Sequence, residues 1–157
     1  MNEIRGAFDP RGRRFAVVAA QFNELVTGKM LEGALAAFRS HGIGEDDLTV
    51  VWVPGAFEIP MAARLLAADG FHDAVVCLGA VIRGETAHFD YVAGECARGI
   101  ADAARDTGVP VLFGVLTTET MEQALDRAGG KHGNKGWDAA MAAMQMASVL
   151  DQLPRKD

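Results

Sequence analysis

Four short apolar runs alternate with segments of helical hydrophobic spacing, and this alternation restricts the possible folds more than any other feature. The runs are typical of buried strands, and they comprise Phe15–Ala20, Leu48–Val53, Ala74–Ala80 and Val111–Leu116. The intervening segments predict helices over 24–41, 58–68 and 88–107, followed by a short helix opening at Thr118–Glu119 and a last helix over 137–150. Strands that alternate with helices predict a three-layer α/β/α domain around a four-stranded parallel sheet.

Length and composition narrow the class of protein. The chain has 157 residues, half of them hydrophobic, with a net charge of -6, which fits one domain and argues against a general nucleic-acid binder. No apolar stretch is long enough to span a membrane, and the N-terminus lacks the apolar region of a secretory signal. Cys77 and Cys96 lie in apolar segments, which predicts reduced cysteines and a cytoplasmic protein. We expect an arm over 1–14, one domain over 15–153 and a tail over 154–157.

Ligands of open parallel sheets bind beyond the carboxyl ends of the strands. The richest of these ends is GAVIRGETAHFDY at 79–91. There Gly84 would permit a tight turn, the amides that open the next helix would attract an anion, Thr86 would add a hydroxyl donor, and His88 could transfer a proton near neutral pH. The local alternative is that Thr86 caps the helix and His88 is an ordinary residue of its first turn.

The other strand ends carry weaker signals. In the run PGAFE at 54–58, Glu58 could accept hydrogen bonds from a ligand, or it could only complement the dipole of the next helix. Phe22, next to Asn23, could stack on a planar ligand, with a core or helix-staple role as the alternative. Phe113 lies within the fourth strand, where a side chain is expected by default to belong to the core. The loop from Arg127 to Lys135 holds three cations and a histidine, a composition that suits phosphate.

Several common kinds of site have no motif in this sequence. The phosphate loop pattern G-x-x-x-x-G-K-[ST] and the dinucleotide fingerprint G-x-G-x-x-G do not occur. No cysteine and histidine cluster has the spacing of metal ligands. The nucleophile motif G-x-S-x-G is also missing, and Cys77 lies in mid-strand. A nucleophile mechanism therefore has no support in the sequence.

Five segments, in order and spacing, resemble the lumazine synthase family. They are Phe22–Asn23, PGAFEIP at 54–60, GAVIRGETAHFDYV at 79–92, FGVLTTET at 113–120 and QALDRAGGKHGNKGWDAA at 123–140. The resemblance covers nearly the whole chain and implies a flavodoxin-like strand order. Two positions depart from the family pattern: Gln21 stands where arginine is common, and Asp138 where glutamate is common.

The resemblance implies a role for each matching residue. The residues that would bind the pyrimidinedione are Phe22, Ala56, Phe57, Glu58, Ala80, Val81, Ile82 and Phe113. Those that would bind phosphate are Glu85, Thr86 and Arg127, and His88 would transfer protons. Asn23 and Lys135 would make further contacts. Phe113 and Arg127 would come from a neighbouring subunit. Because a Glu85 carboxylate would repel phosphate, we expect that residue to use its backbone amide.

The resemblance also implies an activity and an assembly. The family condenses 5-amino-6-(D-ribitylamino)uracil with 3,4-dihydroxy-2-butanone 4-phosphate to 6,7-dimethyl-8-ribityllumazine, releasing phosphate and water, and needs no metal or organic cofactor. Its members form homo-oligomers, either pentamers or icosahedral shells of twelve pentamers, and the tight loop GGKHGNKG at 129–136 favours the shell. The arm from Glu3 to Phe8 would add a strand to a neighbour's sheet. Riboflavin synthase is a further expected partner.

Two other functions stay open at this point. The same fold could bind a flavin or lumazine ring without catalysis or serve as a shell-forming scaffold, although a storage protein has no need of a phosphate site. A flavodoxin-like FMN protein would carry a hydroxyl-rich phosphate loop after the first strand. The sequence QFNELVTG at 21–28 fits that expectation poorly.

Overall fold

A four-stranded, all-parallel sheet forms the centre of the protein. The structure is a computed structural model and describes residues 1–10 and 12–154. The strands are β1 (Phe15–Ala20), β2 (Leu48–Val53), β3 (Ala74–Ile82) and β4 (Val111–Thr118). They lie in the order β2-β1-β3-β4, which confirms the predicted flavodoxin-like arrangement.

Helices cover both faces of this sheet. They are α1 (Glu24–Ser40), α2 (Ile59–Ala67), α3 (His88–Thr107), α4 (Met121–Asp126) and α5 (Lys135–Gln152). One core contains side chains of α1, α4 and α5, and the other contains side chains of α2 and α3. The predicted three-layer α/β/α class is confirmed.

Strand β1 shows how the sequence produces two cores from one sheet. Successive side chains of a strand point to opposite faces. Phe15, Val17 and Ala19 therefore join the core under α1 and α5, while Ala16 and Val18 join the core under α2 and α3. Every residue of β1 is buried, so this strand needs an unbroken apolar run rather than an alternating one.

The structure corrects the predicted boundaries at the carboxyl edge of the sheet. Strands β3 and β4 each run two residues farther than expected, because Val81 and Ile82 pair in register with Thr117 and Thr118. Helix α4 consequently begins at Met121 and not at Thr118–Glu119. A capping box begins it: the Thr120 hydroxyl accepts a hydrogen bond from the Gln123 amide at 3.1 Å.

The predicted glycine-rich loop between the last two helices contains a small hairpin. Strands β5 (Ala128–Gly130) and β6 (Gly133–Asn134) pair antiparallel. Gly129 and Gly133 have φ angles of 109° and 82°, a region in which residues with a Cβ are strained. Helix α5 begins directly after the hairpin, two residues before the predicted start.

Helices α1 and α5 approach each other closely where α5 begins. The Asn134 side chain caps α5 by accepting hydrogen bonds from the amides of Gly136 and Trp137, and it donates to the Lys29 carbonyl at 3.1 Å. A Cβ on Gly136 would lie inside van der Waals distance of the Met30 carbonyl oxygen. Only glycine therefore fits at position 136, next to the Asn134 hydrogen bond that holds the hairpin against α1.

The N-terminal arm lies along α5 of its own chain. The Ala7 amide donates to the Ser148 hydroxyl at 2.9 Å, and the Gln152 amide group donates to the Arg5 carbonyl at 2.9 Å. Residues 3–8 form no strand in this single chain, so strand addition to a neighbour stays a prediction. Of the expected tail, only Pro154 belongs to the described residues; 155–157 lie outside them.

No helix among the described residues is long and apolar enough to cross a membrane.

We predict that Gly136→Ala destabilises the fold by roughly 1–3 kcal/mol, because the added methyl group must displace backbone atoms. Gly28→Ala is the matched control on α1, since a Cβ there would meet nothing within 4 Å. The control should be neutral or stabilising by up to about 1 kcal/mol through helix propensity. Urea unfolding of both variants measures the difference, and equal stability of the two would contradict the close approach.

Candidate functional site

The loops that follow the four parallel strands meet at one edge of the sheet. Parallel strands bring their carboxyl ends to the same side, and the ladder hydrogen bonds continue into these loops. The Gln21 and Phe22 amides donate to the carbonyls of Val53 and Pro54, and the Arg83 amide donates to the Thr118 carbonyl at 2.9 Å. Hydrogen bonds thus connect the end of β1 to the end of β2, and the end of β3 to the end of β4.

The first two strand ends and the start of α3 enclose a cavity of about 700 Å³. Phe22 and Phe57 are exposed over 72% and 59% of their surface and line this cavity. Glu58 and His88 also line it. Exposed aromatic rings next to a carboxylate and an imidazole suit a planar, polar ligand. The exposure of Phe22 excludes its alternative role as a core residue in this chain.

A narrower cleft continues from this cavity along the end of β3. It is lined by Ala80, Val81 and Ile82 together with Phe22, Ala56 and His88. Asn23 supports the cleft from below: its side chain donates to the Ala80 carbonyl at 2.9 Å. Asn23 has a φ of 61°, the left-handed conformation that asparagine tolerates better than most residues. We therefore assign Asn23 a supporting position behind the cleft.

The turn over 84–87 is exposed and lies between β3 and α3. The His88 amide donates to the Thr86 hydroxyl at 3.3 Å. The N-cap of α3 is Ala87, however, and it forms no side-chain capping hydrogen bond, so the local alternative that Thr86 is the N-cap is wrong. Gly84 is not in the left-handed region, and a Cβ there would meet nothing within 4 Å. The expected need for glycine in a tight turn is therefore wrong for this single chain.

A second cavity, of about 540 Å³, opens beside β4, an edge strand of the sheet. Phe113, Arg127 and Lys135 line it, together with Glu119 and His132. Phe113 is 40% exposed, so its default role as a core residue is wrong.

Local hydrogen bonds place the two cations of this second cavity. The Arg127 guanidinium donates to the Gln123 carbonyl at 2.9 Å, and the Lys135 amide donates to the Arg127 carbonyl at 2.8 Å. Within the part of the chain that the structure describes, neither cation has a carboxylate partner. Their charge is thus available to an anion.

The structure therefore divides the sequence-predicted residues into two groups. Phe22, Ala56, Phe57, Glu58, Ala80, Val81, Ile82 and His88 come together in the first cavity and its cleft. Phe113, Arg127 and Lys135 line the second cavity, whose lining shares no residue with the first. Glu85 and Thr86 line neither of these cavities. A single chain holds two separate halves of the predicted site.

Sequence reasoning missed one aromatic residue of the first cavity. Tyr91 lines it beside His88 and is 72% exposed. The available signal was spacing, because residues three apart on a helix share a face. Gln123, which lines the second cavity, was also missed, although the spacing Thr120-x-x-Gln123 is the pattern of a capping box.

Neither cysteine is placed for chemistry at this edge. Both are free and buried in the core beneath α2 and α3. Burial raises the pKa of Cys77 far above its usual range and the pKa of Cys96 to about 11, so both thiols stay protonated at neutral pH. Among the described residues, no group of three or more histidine, cysteine, aspartate or glutamate side chains could hold a metal ion.

Comparison with known protein families gives one match that spans almost the whole chain. Residues 12–151 match a family model described as 6,7-dimethyl-8-ribityllumazine synthase. The match includes every residue of both cavities.

Proposed function

Because the chain belongs to the 6,7-dimethyl-8-ribityllumazine synthase family, an enzyme family of riboflavin biosynthesis, we propose that it condenses 5-amino-6-(D-ribitylamino)uracil with 3,4-dihydroxy-2-butanone 4-phosphate. The primary amine adds to the ketone carbonyl and water leaves, giving a Schiff base. Elimination then releases phosphate, and the ribityl-bearing nitrogen closes the ring with loss of a second water.

The observation that carries the proposal is the division of the predicted residues between two cavities. One half offers aromatic rings, a carboxylate and an imidazole, which suit the pyrimidinedione and its ribityl chain. The other half offers unpaired cations, which suit a phosphate. In the proposal the first cavity of one subunit meets the second cavity of its neighbour, so that the two substrates are held side by side. The assembly would be a pentamer or a shell of pentamers.

Each residue then has a specific task. The ring of Phe22 stacks on the pyrimidinedione, and Glu58 accepts hydrogen bonds from the ribityl hydroxyls. The backbone at the end of β3, over Ala80, Val81 and Ile82, reads the edge of the ring. Thr86 and the amide of Glu85 hold the phosphate together with Arg127 of the neighbour. Juxtaposition of two substrates can by itself supply about 7–11 kcal/mol of the barrier reduction.

His88 is the proton-transfer residue of this proposal. It lines both the main cavity and the cleft at the end of β3 and directly follows the turn over 84–87, which supports this role. The imidazole would accept a proton as the amine adds and return one as phosphate leaves. General acid–base catalysis of this kind contributes typically 10²–10⁴-fold.

The direct test of the proposal is turnover of purified protein with both substrates, followed by absorbance of the lumazine product and release of phosphate. Product formation at one phosphate per lumazine supports the enzyme. Tight binding of a lumazine or riboflavin without turnover would instead favour the alternative, a non-catalytic flavin-binding or shell-forming scaffold.

We predict that Arg127→Ala raises KM for the butanone phosphate about 10- to 100-fold, because a charge-assisted hydrogen bond contributes roughly 1.5–3 kcal/mol. KM for the pyrimidinedione should change little. The matched control is Arg39→Ala, which removes another arginine near the end of a helix, outside both cavities. Steady-state kinetics with each substrate varied in turn measures both constants. Equal weakening of both substrates would remove Arg127 from the phosphate site.

We predict that His88→Ala lowers kcat about 10-fold or more while the affinity for the pyrimidinedione stays nearly constant, since the imidazole moves protons and does not hold the ring. His41→Ala, at the end of α1, is the control and should retain full activity. Single-turnover kinetics separates chemistry from binding here. A wild-type rate in His88→Ala would exclude this residue from proton transfer.

A further inference from the structure

We propose that Arg83 is a positioning residue: it fixes the turn over 84–87 and the first residues of α3, and so holds Thr86 and His88 in their working geometry. That the turn binds a phosphate rests on the function proposed above. The positioning role itself rests on contacts of Arg83 within one chain.

Arg83 contacts three structural elements at once. Its amide donates to the Thr118 carbonyl at 2.9 Å, which continues the β3–β4 ladder by one residue. Its Nε donates to the carboxylate of Glu119, just beyond β4, at 3.1 Å. Another guanidinium nitrogen lies 3.4 Å from the carboxylate of Asp90 in the first turn of α3. The side chain thus spans from the sheet to the helix.

An aromatic contact completes this arrangement. The guanidinium carbon of Arg83 lies 4.4 Å from the centre of the Phe89 ring, a distance at which a cation is attracted to the ring face. Phe89 packs against the core beneath α2 and α3 and lines the cleft next to His88. Arg83 therefore connects the residue directly after His88 to the end of the sheet.

The turn has little other support. Its hydrogen bonds are short-range: the His88 amide to the Thr86 hydroxyl at 3.3 Å, and the Asp90 amide to the Ala87 carbonyl at 3.1 Å. Residues 84–88 are all exposed, so packing does not hold them. The contacts of Arg83 connect the two ends of the turn. Loss of these contacts should leave residues 84–88 with a wider range of conformations.

The charges around Arg83 argue against the other function that its position suggests, that of a phosphate ligand. Two carboxylates, Glu119 and Asp90, already face its guanidinium. The hydrogen bond and charge of Glu119, together with the charge of Asp90, raise the pKa of Arg83 above its usual value. A guanidinium that is shared between two carboxylates offers an anion little net attraction.

The two roles predict opposite results when the carboxylates are neutralised. Glu119→Gln with Asp90→Asn leaves Arg83 in place but weakens both of its anchors. If Arg83 positions the turn, hydrogen exchange over 83–92 becomes faster and kcat falls. If Arg83 binds phosphate directly, exchange over 83–92 stays at the wild-type rate and the loss of two nearby negative charges strengthens phosphate binding.

The experiment compares Arg83→Gln, the Glu119→Gln/Asp90→Asn variant and the triple variant in the assembled protein. Arg105→Gln is the control, because it removes an arginine with its own carboxylate partner from the far end of α3. Hydrogen–deuterium exchange of the peptide over 83–92 reports on the turn without substrates. Calorimetry with inorganic phosphate and steady-state kinetics report on binding and turnover.

We expect faster exchange in 83–92, a roughly 10- to 100-fold lower kcat/KM for the butanone phosphate, and a nearly unchanged KM for the pyrimidinedione in Arg83→Gln. The triple variant should match Arg83→Gln within about twofold, because the substituted groups act as one unit. Arg105→Gln should behave as the wild type.

Wild-type exchange and kinetics in Arg83→Gln would overturn the positioning role, and so would wild-type exchange with tighter phosphate binding in the Glu119→Gln/Asp90→Asn variant. If the wild-type protein shows no turnover, the proposed function fails, while exchange in 83–92 still decides the role of Arg83. If Arg83→Gln does not fold, the Glu119→Gln/Asp90→Asn variant, which changes only exposed side chains, answers the same question.

Discussion

The parallel pairing of β3 with its two neighbours is the constraint on which the rest of the structure depends. It pairs with β1 from Ala74 to Leu78 and with β4 from Val75 to Ile82. Because all partners run in the same direction, the loops that follow the four strands leave the sheet at one edge. The β3–β4 ladder is longer than the β1–β3 ladder, so the turn over 84–87 lies beyond the end of β1, where it is exposed.

The same topology explains why the predicted site residues of one chain are divided between two cavities. Strand β4 lies at an edge of the sheet, and the cavity beside it, lined by Phe113 and Arg127, shares no residue with the cavity that contains Phe22 and His88. Exposed aromatic side chains line both cavities: Phe113 the second, and Phe22 and Phe57 the first. Association of two copies would cover these exposed aromatic side chains and bring the first cavity of one copy against the second cavity of the other. In the proposed assembly, the same contact would therefore stabilise the oligomer and complete the site.

Much of the fold could be predicted because the decisive patterns are local. The apolar runs gave β1 and β2 their observed bounds, and α3 begins at His88 and ends at Thr107 as expected. The carboxyl-edge rule together with the family resemblance predicted eight of the residues that line the first cavity and its cleft. The extra length of β3, the late start of α4 and the hairpin before α5 were missed because long-range pairing decides them. The separation of Arg127 from His88 depends on which strand lies at the edge.

The central claim is that a complete site needs two chains, and complementation tests it most directly. His88→Ala and Arg127→Ala subunits should be co-expressed, and mixed particles confirmed by native mass spectrometry. Where an intact His88 faces the intact Arg127 of a neighbour, a full site is present, so the account predicts activity clearly above that of either variant alone. If confirmed mixed particles show only the sum of the residual activities, each site lies within a single chain and the account is wrong.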